Sequence, residues 1–246
     1  LKNPLLVSVR SGARVSMPGM MDTILNLGLN EQTILGLIKN TNNPRFTWDS
    51  YRRFIQLFGK VVFGVNDEKF DHVLDAAKKK QNVIDDSQLN VDSLQKIVSE
   101  YKKICEVYTK RKFPTNPNEQ LQLAIEAVFK SWMGERAVVY REKNNITKDI
   151  ANGTAVNIVT MVFGNMGNDS ATGVVFTRNG HNGKKEIEGE YLINAQGEDV
   201  VAGVRTGKDI SQLKNDMPKS YRELSNACNK LEKHFREPQD IEFTIE

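Results

Sequence analysis

Two arginines near the start of the chain have the spacing and the neighbours of an anion-binding segment. Arg10 and Arg14 flank Ser11, Gly12 and Ala13, small residues that let a ligand come close to the backbone. A guanidinium offers a planar fork of donors, which suits phosphate oxygens better than a lysine ammonium does. The segment therefore predicts a phosphate-binding loop. On spacing alone, a polar loop with two solvated arginines is an equally good interpretation.

Two carboxylates near the end of the chain form a second candidate site. Residues 240–246 alternate polar with apolar side chains, which is typical of a strand with two unlike faces. Asp240 and Glu242 are two residues apart and point the same way, about 6 to 7 Å from each other at the backbone. Hard oxygens at this separation suit a Mg²⁺ ion that carries substrate phosphates. A solvated acidic edge strand is the competing interpretation, and the residues alone favour it.

The histidines and cysteines do not indicate a metal site or a disulfide. His72, His181 and His234 lie far apart in sequence without the spacing of metal ligands, so the pattern disfavours a metal site built from imidazoles. Cys105 and Cys228 occupy apolar positions of helical periodicity. We expect buried thiols in a reducing compartment rather than a disulfide.

The composition is ordinary for a soluble globular protein. The chain has 246 residues, 39% hydrophobic and 26% charged, which is enough for one or two cores. Its formal net charge of +3 is too small to indicate a nucleic-acid partner. No apolar run approaches the ~20 residues that span a bilayer, and no secretory segment opens the chain. We expect no nucleic-acid or membrane partner. We expect a cytoplasmic location, and an organelle is the alternative for the full-length protein.

The elements that must position the first candidate site are a strand and a set of helices. Residues 23–29 alternate as a half-buried strand does, and residues 30–134 follow helical periodicity. Thr47 is a plausible N-cap for the first long helix. Further helices are predicted from Asp67 to the lysines at 78–80, over a long stripe that starts at Val91, and after a proline break at 113–117.

Residues 135–246 have a different texture, with short apolar or alternating runs separated by glycines. The runs 155–163, 173–176, 187–192 and 200–204 predict strands of one antiparallel sheet. Ser220 and Glu223 form a capping box for a helix that covers this sheet, and residues 240–246 form the last strand. The predicted fold class is α+β, with a mostly helical subdomain and an antiparallel-sheet subdomain. Because the chain opens on Leu1 inside a strand, we expect a fragment of a longer polypeptide.

Four segments resemble, in the same order, the pyruvate, phosphate dikinase family of phosphoenolpyruvate-utilising enzymes. They are residues 9–23, 154–157, 161–165 and 189–203. The resemblance implies an incomplete ATP-grasp-like nucleotide-binding domain. In that domain residues 1–29 would be the phosphate-binding loop and strand, 30–134 the helical subdomain and 135–246 the antiparallel-sheet subdomain.

The resemblance also implies which residues would bind the nucleotide. Arg10, Arg14 and Arg53 would meet the phosphates of ATP or inorganic phosphate, and Met21 would pack on the adenine. The backbone of Val159, Thr160 and Met161 would read the adenine edge, although the family often has glutamine where Val159 stands.

The resemblance assigns roles in the second half of the chain as well. Thr172 would lie near the phosphates, and Glu198 with Asp199 near the nucleoside. A turn between strands also explains the latter pair. Asp240 and Glu242 would act on Mg²⁺ and the transferring phosphates, so that Arg10, Asp240 and Glu242 are the expected catalytic residues.

The implied activity is that of a phosphotransferase with paired acceptors. It converts ATP, phosphate and pyruvate to AMP, pyrophosphate and phosphoenolpyruvate, with Mg²⁺ as cofactor. A phosphohistidine domain of the same polypeptide would be its partner, and the full-length enzyme is expected to be a homodimer. The family's essential lysine, its Gln-x-Arg motif and its Thr-Ser-His segment lie outside this chain, so we expect the chain alone to be inactive. A related dikinase, such as phosphoenolpyruvate synthase or a glucan-phosphorylating enzyme, and a non-catalytic nucleotide-binding module are the alternatives. Residues 17–21 and 194–199 favour the first assignment, and the retained arginines and terminal acids count against a scaffold.

Overall fold

The computed structural model describes residues 3–201 and 206–246, and leaves the side chains of Glu198 and Val201 undescribed. The chain folds into two compact units, Leu1–Met161 and Val162–Glu246. Both units combine helices with an antiparallel sheet, which confirms the predicted α+β class. Among the helices of the described part, none has both the length and the apolar character needed to cross a membrane.

The first unit contains a three-stranded sheet and six α-helices among its described residues. Its elements are β1 (Val7–Ala13), β2 (Ile24–Leu27), α1 (Thr33–Thr41), α2 (Pro44–Val61), α3 (Glu68–Gln81), a 3₁₀ helix (Asp86–Gln88), α4 (Val91–Thr109), α5 (Pro117–Ser131), α6 (Glu135–Lys143) and β3 (Thr154–Thr160). The sheet order is β2-β1-β3. The predicted helices that became α3, α4 and α5, and the predicted strand that became β2, are confirmed.

Strand β3 belongs to a different sheet from the one predicted. It was predicted to join the later strands, but it pairs antiparallel with β1 over the whole of that strand, from Val7 opposite Thr160 to Ala13 opposite Thr154. Period-two alternation identifies a strand and its faces, whereas the choice of partner depends on long-range packing, which alternation does not encode. The arginine segment and the predicted adenine-reading strand are therefore neighbours in one sheet.

The start of α2 also differs from the prediction. The cap is Asn43, whose side-chain oxygen accepts a hydrogen bond from the Phe46 amide at 3.0 Å, and Pro44 occupies the first turn. Proline suits that position because its fixed φ is already helical and its missing N–H has no partner there. Thr47 lies inside the helix instead, with its hydroxyl on the Asn43 carbonyl at 3.1 Å.

Aromatic packing holds the helices of the first unit together. Phe54 and Phe58 of α2 are fully buried, and the ring of Phe113 meets both edge-on at centroid distances of 5.8 and 5.3 Å. Buried Gln120 of α5 accepts from the Gly28 amide at 3.0 Å and donates to the Leu29 carbonyl at 3.1 Å, which ties the end of β2 to that helix. The sheet is thereby fixed against the helices.

The second unit has a four-stranded antiparallel sheet of order β6-β5-β4-β7. Its elements are β4 (Ala171–Phe176), β5 (Glu188–Ile193), α7 (Gly197–Val201), β6 (Lys208–Asp209), α8 (Ile210–Asp216), α9 (Pro218–Phe235) and β7 (Asp240–Ile245). Alternate residues of β4, β5 and β7 pack with α8 and α9 in one core, which includes Val175, Tyr191, Leu213 and Cys228. The helices therefore cover one face of the sheet.

Two predictions about the second unit were wrong in detail. Residues 200 and 201 belong to helix α7 rather than to a strand, and 202–204, the rest of the predicted strand 200–204, lie outside the described residues. Helix α9 begins at Pro218, so Ser220 and Glu223 lie in its first turns and do not form its cap. As in α2, a proline that is compatible with the first turn marks the true start. The three-part division at residues 29 and 134 stays a prediction.

Candidate functional site

The predicted phosphate-binding loop is, in its first half, a strand. Ser11, Gly12 and Ala13 continue β1 and pair with Val156, Ala155 and Thr154 of β3. The loop proper therefore starts at Arg14. The small residues that suggested a loop are accommodated in the sheet because β3 supplies a full-length partner, which the sequence analysis had placed elsewhere.

The loop from Arg14 to residue 23 is held at several points. Met17 is buried, and the Met20 amide donates to the Met17 carbonyl at 3.2 Å, which closes a turn with Gly19 at φ +69°. Proline at the second and glycine at the third position of such a turn supply the two backbone conformations that it requires. At the far end, the Asp22 amide donates to the Ser131 hydroxyl at 3.1 Å.

Arg10 is exposed on β1 and is oriented by a neutral neighbour. Its Nε donates to the hydroxyl of Ser8 at 3.1 Å, and Ser8 itself is buried. Within residues 3–201 and 206–246, no carboxylate lies within ion-pair distance of Arg10 or Arg14. The positive charge of Arg10 is therefore directed by the fold without being neutralised by it.

Pairing of β1 with β3 decides which predicted residues share a face with Arg10. Residues directly opposite each other in an antiparallel pair point to the same side of the sheet. Arg10 faces Asn157, and Ser8 faces Val159, so these four side chains lie on one face. Thr160 faces Val7 and lies on the other.

The backbone of β3 separates the three residues predicted to read the adenine edge. The Met161 amide donates to the Leu6 carbonyl at 2.9 Å, so Met161 directs its N–H toward β1. In an antiparallel ladder this direction alternates, so Val159 also faces β1 while Thr160 faces away. Because β3 is an edge strand of this sheet, Thr160 alone of the three offers backbone groups to the open edge.

Arg53, another predicted phosphate contact, belongs to an ion-pair network. Its side chain is 15% exposed and lies 3.3 Å from Asp49 and 3.3 Å from Asp86. Burial alone would raise the pKa of Asp49, but the cations of Arg52, Arg53 and Arg45 hold that pKa below its ordinary value. Arg53 would have to share or leave these acids to reach a phosphate.

In the second unit, one sheet face carries three of the predicted residues. Asp240 faces Phe176 of β4, and Glu242 faces Val174, so both acids lie on the side of the sheet opposite the helices. Thr172 is on the same face, opposite Thr244, and its hydroxyl donates to the Phe243 carbonyl at 3.1 Å. The terminal strand and the shared direction of its two exposed acids are confirmed.

Two further carboxylates on this face were missed by the sequence analysis. Glu190 of β5 faces Val174, and Glu188 faces Phe176, each across β4 from one of the terminal acids. The alternation of Glu188, Gly189 and Glu190 was the available signal, because it shows that the two acids share a face. The sequence did not show that β4 separates them from Asp240 and Glu242.

The two terminal acids are exposed oxygen donors of the kind that Mg²⁺ prefers. Within the described residues, no three His, Cys, Asp or Glu side chains lie close enough together to hold a metal ion. Asp240 and Glu242 thus offer two hard, exposed oxygen ligands, and phosphate oxygens and water must supply the others. That donor set fits Mg²⁺, which keeps several waters and binds through one or two carboxylates plus substrate phosphates.

Other predicted residues have local roles in the structure. Asp199 lies in helix α7, where one carboxylate oxygen accepts from the Gln196 amide at 2.9 Å, so the predicted turn between strands is a short helix. The side chain of Glu198 is outside the described part of the chain. Met21 is half-buried in the loop after β1.

Comparison with known proteins gives one consistent result. Residues 1–222 match the family described as pyruvate phosphate dikinase, AMP/ATP-binding domain. The chain is 56% identical over 246 residues to pyruvate, phosphate dikinase of Clostridium symbiosum, and covers 28% of that protein's length. It is 55% identical over 247 residues to the enzyme of the same name in Entamoeba histolytica, again over 28% of its length.

A plant relative agrees. The chain is 51% identical over 243 residues to the chloroplastic pyruvate, phosphate dikinase of Mesembryanthemum crystallinum, with 99% of this chain and 25% of that protein covered. The chain thus spans only about a quarter of the length of these curated relatives. It belongs to the pyruvate phosphate dikinase AMP/ATP-binding domain family, and its α+β fold is ATP-grasp-like.

Proposed function

We propose that this chain is the ATP-binding portion of a pyruvate, phosphate dikinase. The whole polypeptide would convert ATP, phosphate and pyruvate to AMP, pyrophosphate and phosphoenolpyruvate through a phosphorylated histidine carried by another domain. The names of the relatives, all pyruvate, phosphate dikinases, favour this reaction over that of a phosphoenolpyruvate synthase.

The observation that carries the proposal is that Arg10 is exposed and oriented by Ser8. Arg10 is an exposed residue whose guanidinium is oriented by a buried hydroxyl and has no carboxylate partner among the described residues, and such a group is suited to an external anion. A structural arginine normally finds an acid, as Arg52 does with Asp49 at 2.6 Å. Arg10 would bind a phosphate of ATP or inorganic phosphate, with Arg14 following it in the adjoining loop.

The adenine would lie at the open edge of β3. Thr160 supplies the outward backbone groups there, while Val159 and Met161 hold the strand on β1 and Met21 packs on the ring. Backbone recognition does not depend on the side chain at 159, so valine is compatible with this role. We also propose that Thr172 lies near the phosphates and that Arg53 contacts one of them. Glu198 and Asp199 would lie near the nucleoside.

Asp240 and Glu242 would hold Mg²⁺ together with the phosphate oxygens. When bound, the ion neutralises charge that develops on the phosphates during transfer. The residues of this chain contribute binding and orientation, since Arg10 and the two acids offer charges of opposite sign to phosphate and metal. We further propose a homodimer and a cytoplasmic location for the full-length protein.

The proposal is tested by labelling the full-length polypeptide. ATP carrying radioactive phosphorus at its β position should label a histidine in the wild type. Arg10→Ala should slow this labelling by about tenfold or more, since a charge-assisted hydrogen bond contributes about 1.5 to 3 kcal/mol. Lys79→Ala, in the last turn of α3, is the control and should leave the rate unchanged.

Two results would contradict the proposal. A wild-type protein that takes up no β-phosphorus would exclude the dikinase reaction. Equal rates for Arg10→Ala and Lys79→Ala would show that Arg10 is a solvated surface arginine. The isolated chain should bind MgATP weakly and release no pyrophosphate, which calorimetry and a pyrophosphate assay would measure.

A further inference from the structure

We propose that Asn157 is a phosphate-binding residue that works beside Arg10, with its side-chain amide donating a hydrogen bond to the same phosphate group. This inference rests on the proposed function, because the ligand is a phosphate of the bound nucleotide or inorganic phosphate. The resemblance drew attention to the segment that contains Asn157 but assigned this residue no role.

The position of Asn157 follows from the sheet. It lies directly opposite Arg10 in the β1–β3 pair, and both residues are exposed. Side chains of directly opposed residues have Cβ atoms about 4.5 to 5.5 Å apart. An amide and a guanidinium at this separation can reach neighbouring oxygens of one phosphate group.

Gly12 explains how the amide lies. It is two residues after Arg10 on the same face, and a Cβ built on it would be 2.5 Å from Nδ2 of Asn157 and 3.5 Å from its Cγ. The asparagine amide therefore occupies the space that a side chain at position 12 would fill. A glycine at this point lets the Asn157 amide lie over β1 at position 12, on the face that carries Arg10.

Among the described residues, none competes for the donors of these two side chains. Within the described part of the chain, the side-chain amide of Asn157 makes no hydrogen bond to protein, and the guanidinium of Arg10 makes one, from Nε to Ser8. The two terminal nitrogens of Arg10 and the amide of Asn157 are left as donors on one exposed face. An anion with several acceptor oxygens satisfies both at once.

The residue type supports a role in binding. Asparagine is depleted in strands because its side chain competes for local backbone hydrogen bonds. Across the described residues, the Asn157 side chain makes no hydrogen bond to the backbone. A local structural role therefore does not explain an asparagine in the middle of β3. Recognition of a ligand accounts for an exposed side-chain amide and a cation that find no partner in the described structure.

The test measures binding of two phosphate-containing probes by the full-length polypeptide. MgATP and inorganic phosphate are titrated separately into the wild type, Asn157→Ala and Asn157→Asp. We expect Asn157→Ala to weaken binding of at least one probe by about tenfold or more, because a hydrogen bond to a charged group is lost. Asn157→Asp should weaken it further, since a carboxylate would repel phosphate and pair with Arg10.

Two more variants make the test specific. Gly12→Ala keeps every donor but displaces the amide, and should weaken the same probe. Asn226→Asp, at an exposed position of α9, adds the same charge elsewhere and should bind like the wild type. Loss with MgATP alone assigns the amide to the nucleotide, and loss with inorganic phosphate alone assigns it to the second substrate.

The outcomes separate the two proposals. Wild-type affinity of Asn157→Ala for both probes would overturn the inference while leaving the dikinase assignment intact, even if Asn157→Asp bound weakly through its pairing with Arg10. A wild type that binds neither probe would overturn both. Thermal melting of each Asn157 variant should match the wild type, because Asn157 is exposed and its amide has no hydrogen bond to the described part of the protein.

Discussion

Arg10 donates through Nε to the buried hydroxyl of Ser8, 3.1 Å away on the same strand. The same hydroxyl lies 3.4 Å from the carbonyl oxygen of Val159, at the long end of hydrogen-bond distances. One serine thus stands between the arginine proposed to bind phosphate and the strand proposed to read adenine. This relationship makes Ser8 a positioning residue for Arg10.

Replacing Ser8 should impair Arg10 without removing its charge. In the full-length polypeptide, Ser8→Ala should raise the KM for ATP several-fold, because the guanidinium loses the acceptor that orients it but keeps its charge. Steady-state kinetics would separate this change from an effect on kcat.

A matched control lies on the same strand. Ser11→Ala removes a hydroxyl that faces Val156 on the other side of the sheet, and should leave the KM unchanged. Ser8→Thr, which keeps the hydroxyl, should recover part of the affinity. If Ser8→Ala and Ser11→Ala behave alike, Ser8 has no positioning role.

At the terminal strand, Glu242→Gln keeps the size of the side chain and removes its charge. If Glu242 binds Mg²⁺ with the phosphates, the phosphorylation rate should fall strongly, most of all at limiting Mg²⁺, because the interaction matters where charge develops in the transition state. Folding should be unaffected, since an exposed acid contributes under ~1 kcal/mol.

Rapid-quench measurement of the phosphoenzyme would give this rate. Glu223→Gln, at an exposed position of α9, is the control for loss of one surface carboxylate. Normal turnover of Glu242→Gln at limiting Mg²⁺ would return the strand to the interpretation of a solvated acidic edge.

Asp49 should be one of the most sensitive positions for stability in the first unit. It is 3% exposed and is paired with Arg52 at 2.6 Å and Arg53 at 3.3 Å. Asp49→Asn removes the buried partner of both guanidinium groups and leaves them to share Asp86, which costs about 3 to 5 kcal/mol. Denaturant unfolding would measure the loss, and exposed Asp149→Asn should show less than ~0.5 kcal/mol.

The same carboxylate predicts how stability depends on pH. Arg52, Arg53 and Arg45 outweigh the opposing effect of burial and lower the pKa of Asp49 in the folded state below that of the unfolded chain. A lowered pKa stabilises the fold above the unfolded value and loses that contribution as pH falls through the folded value. Stability should therefore decline in acid, below about pH 4.

Thermal melting between neutral and acidic pH would check this. The decline should be shallower in Asp49→Asn, which has no carboxylate to protonate at this position. Equal pH profiles for the variant and the wild type would show that other acids, such as Asp67 beside Lys60, set the acid limit.

Much of this protein could be predicted from its residue types and their periodicity. The long helices, the terminal strand and the shared direction of Asp240 and Glu242 follow from local rules, because the direction of each side chain repeats every two or 3.6 residues. Fold class follows in the same way. The order of the quoted segments was also sufficient to indicate the family.

Only the tertiary structure decided which of these elements meet. It paired β3 with β1, which brought Arg10, Ser8, Asn157 and Val159 to one face and turned Thr160 to the open edge. It also engaged Arg53 with Asp49 and Asp86. These pairings join residues distant in the chain, and no local periodicity records them, because they depend on the free energy of packing the whole unit.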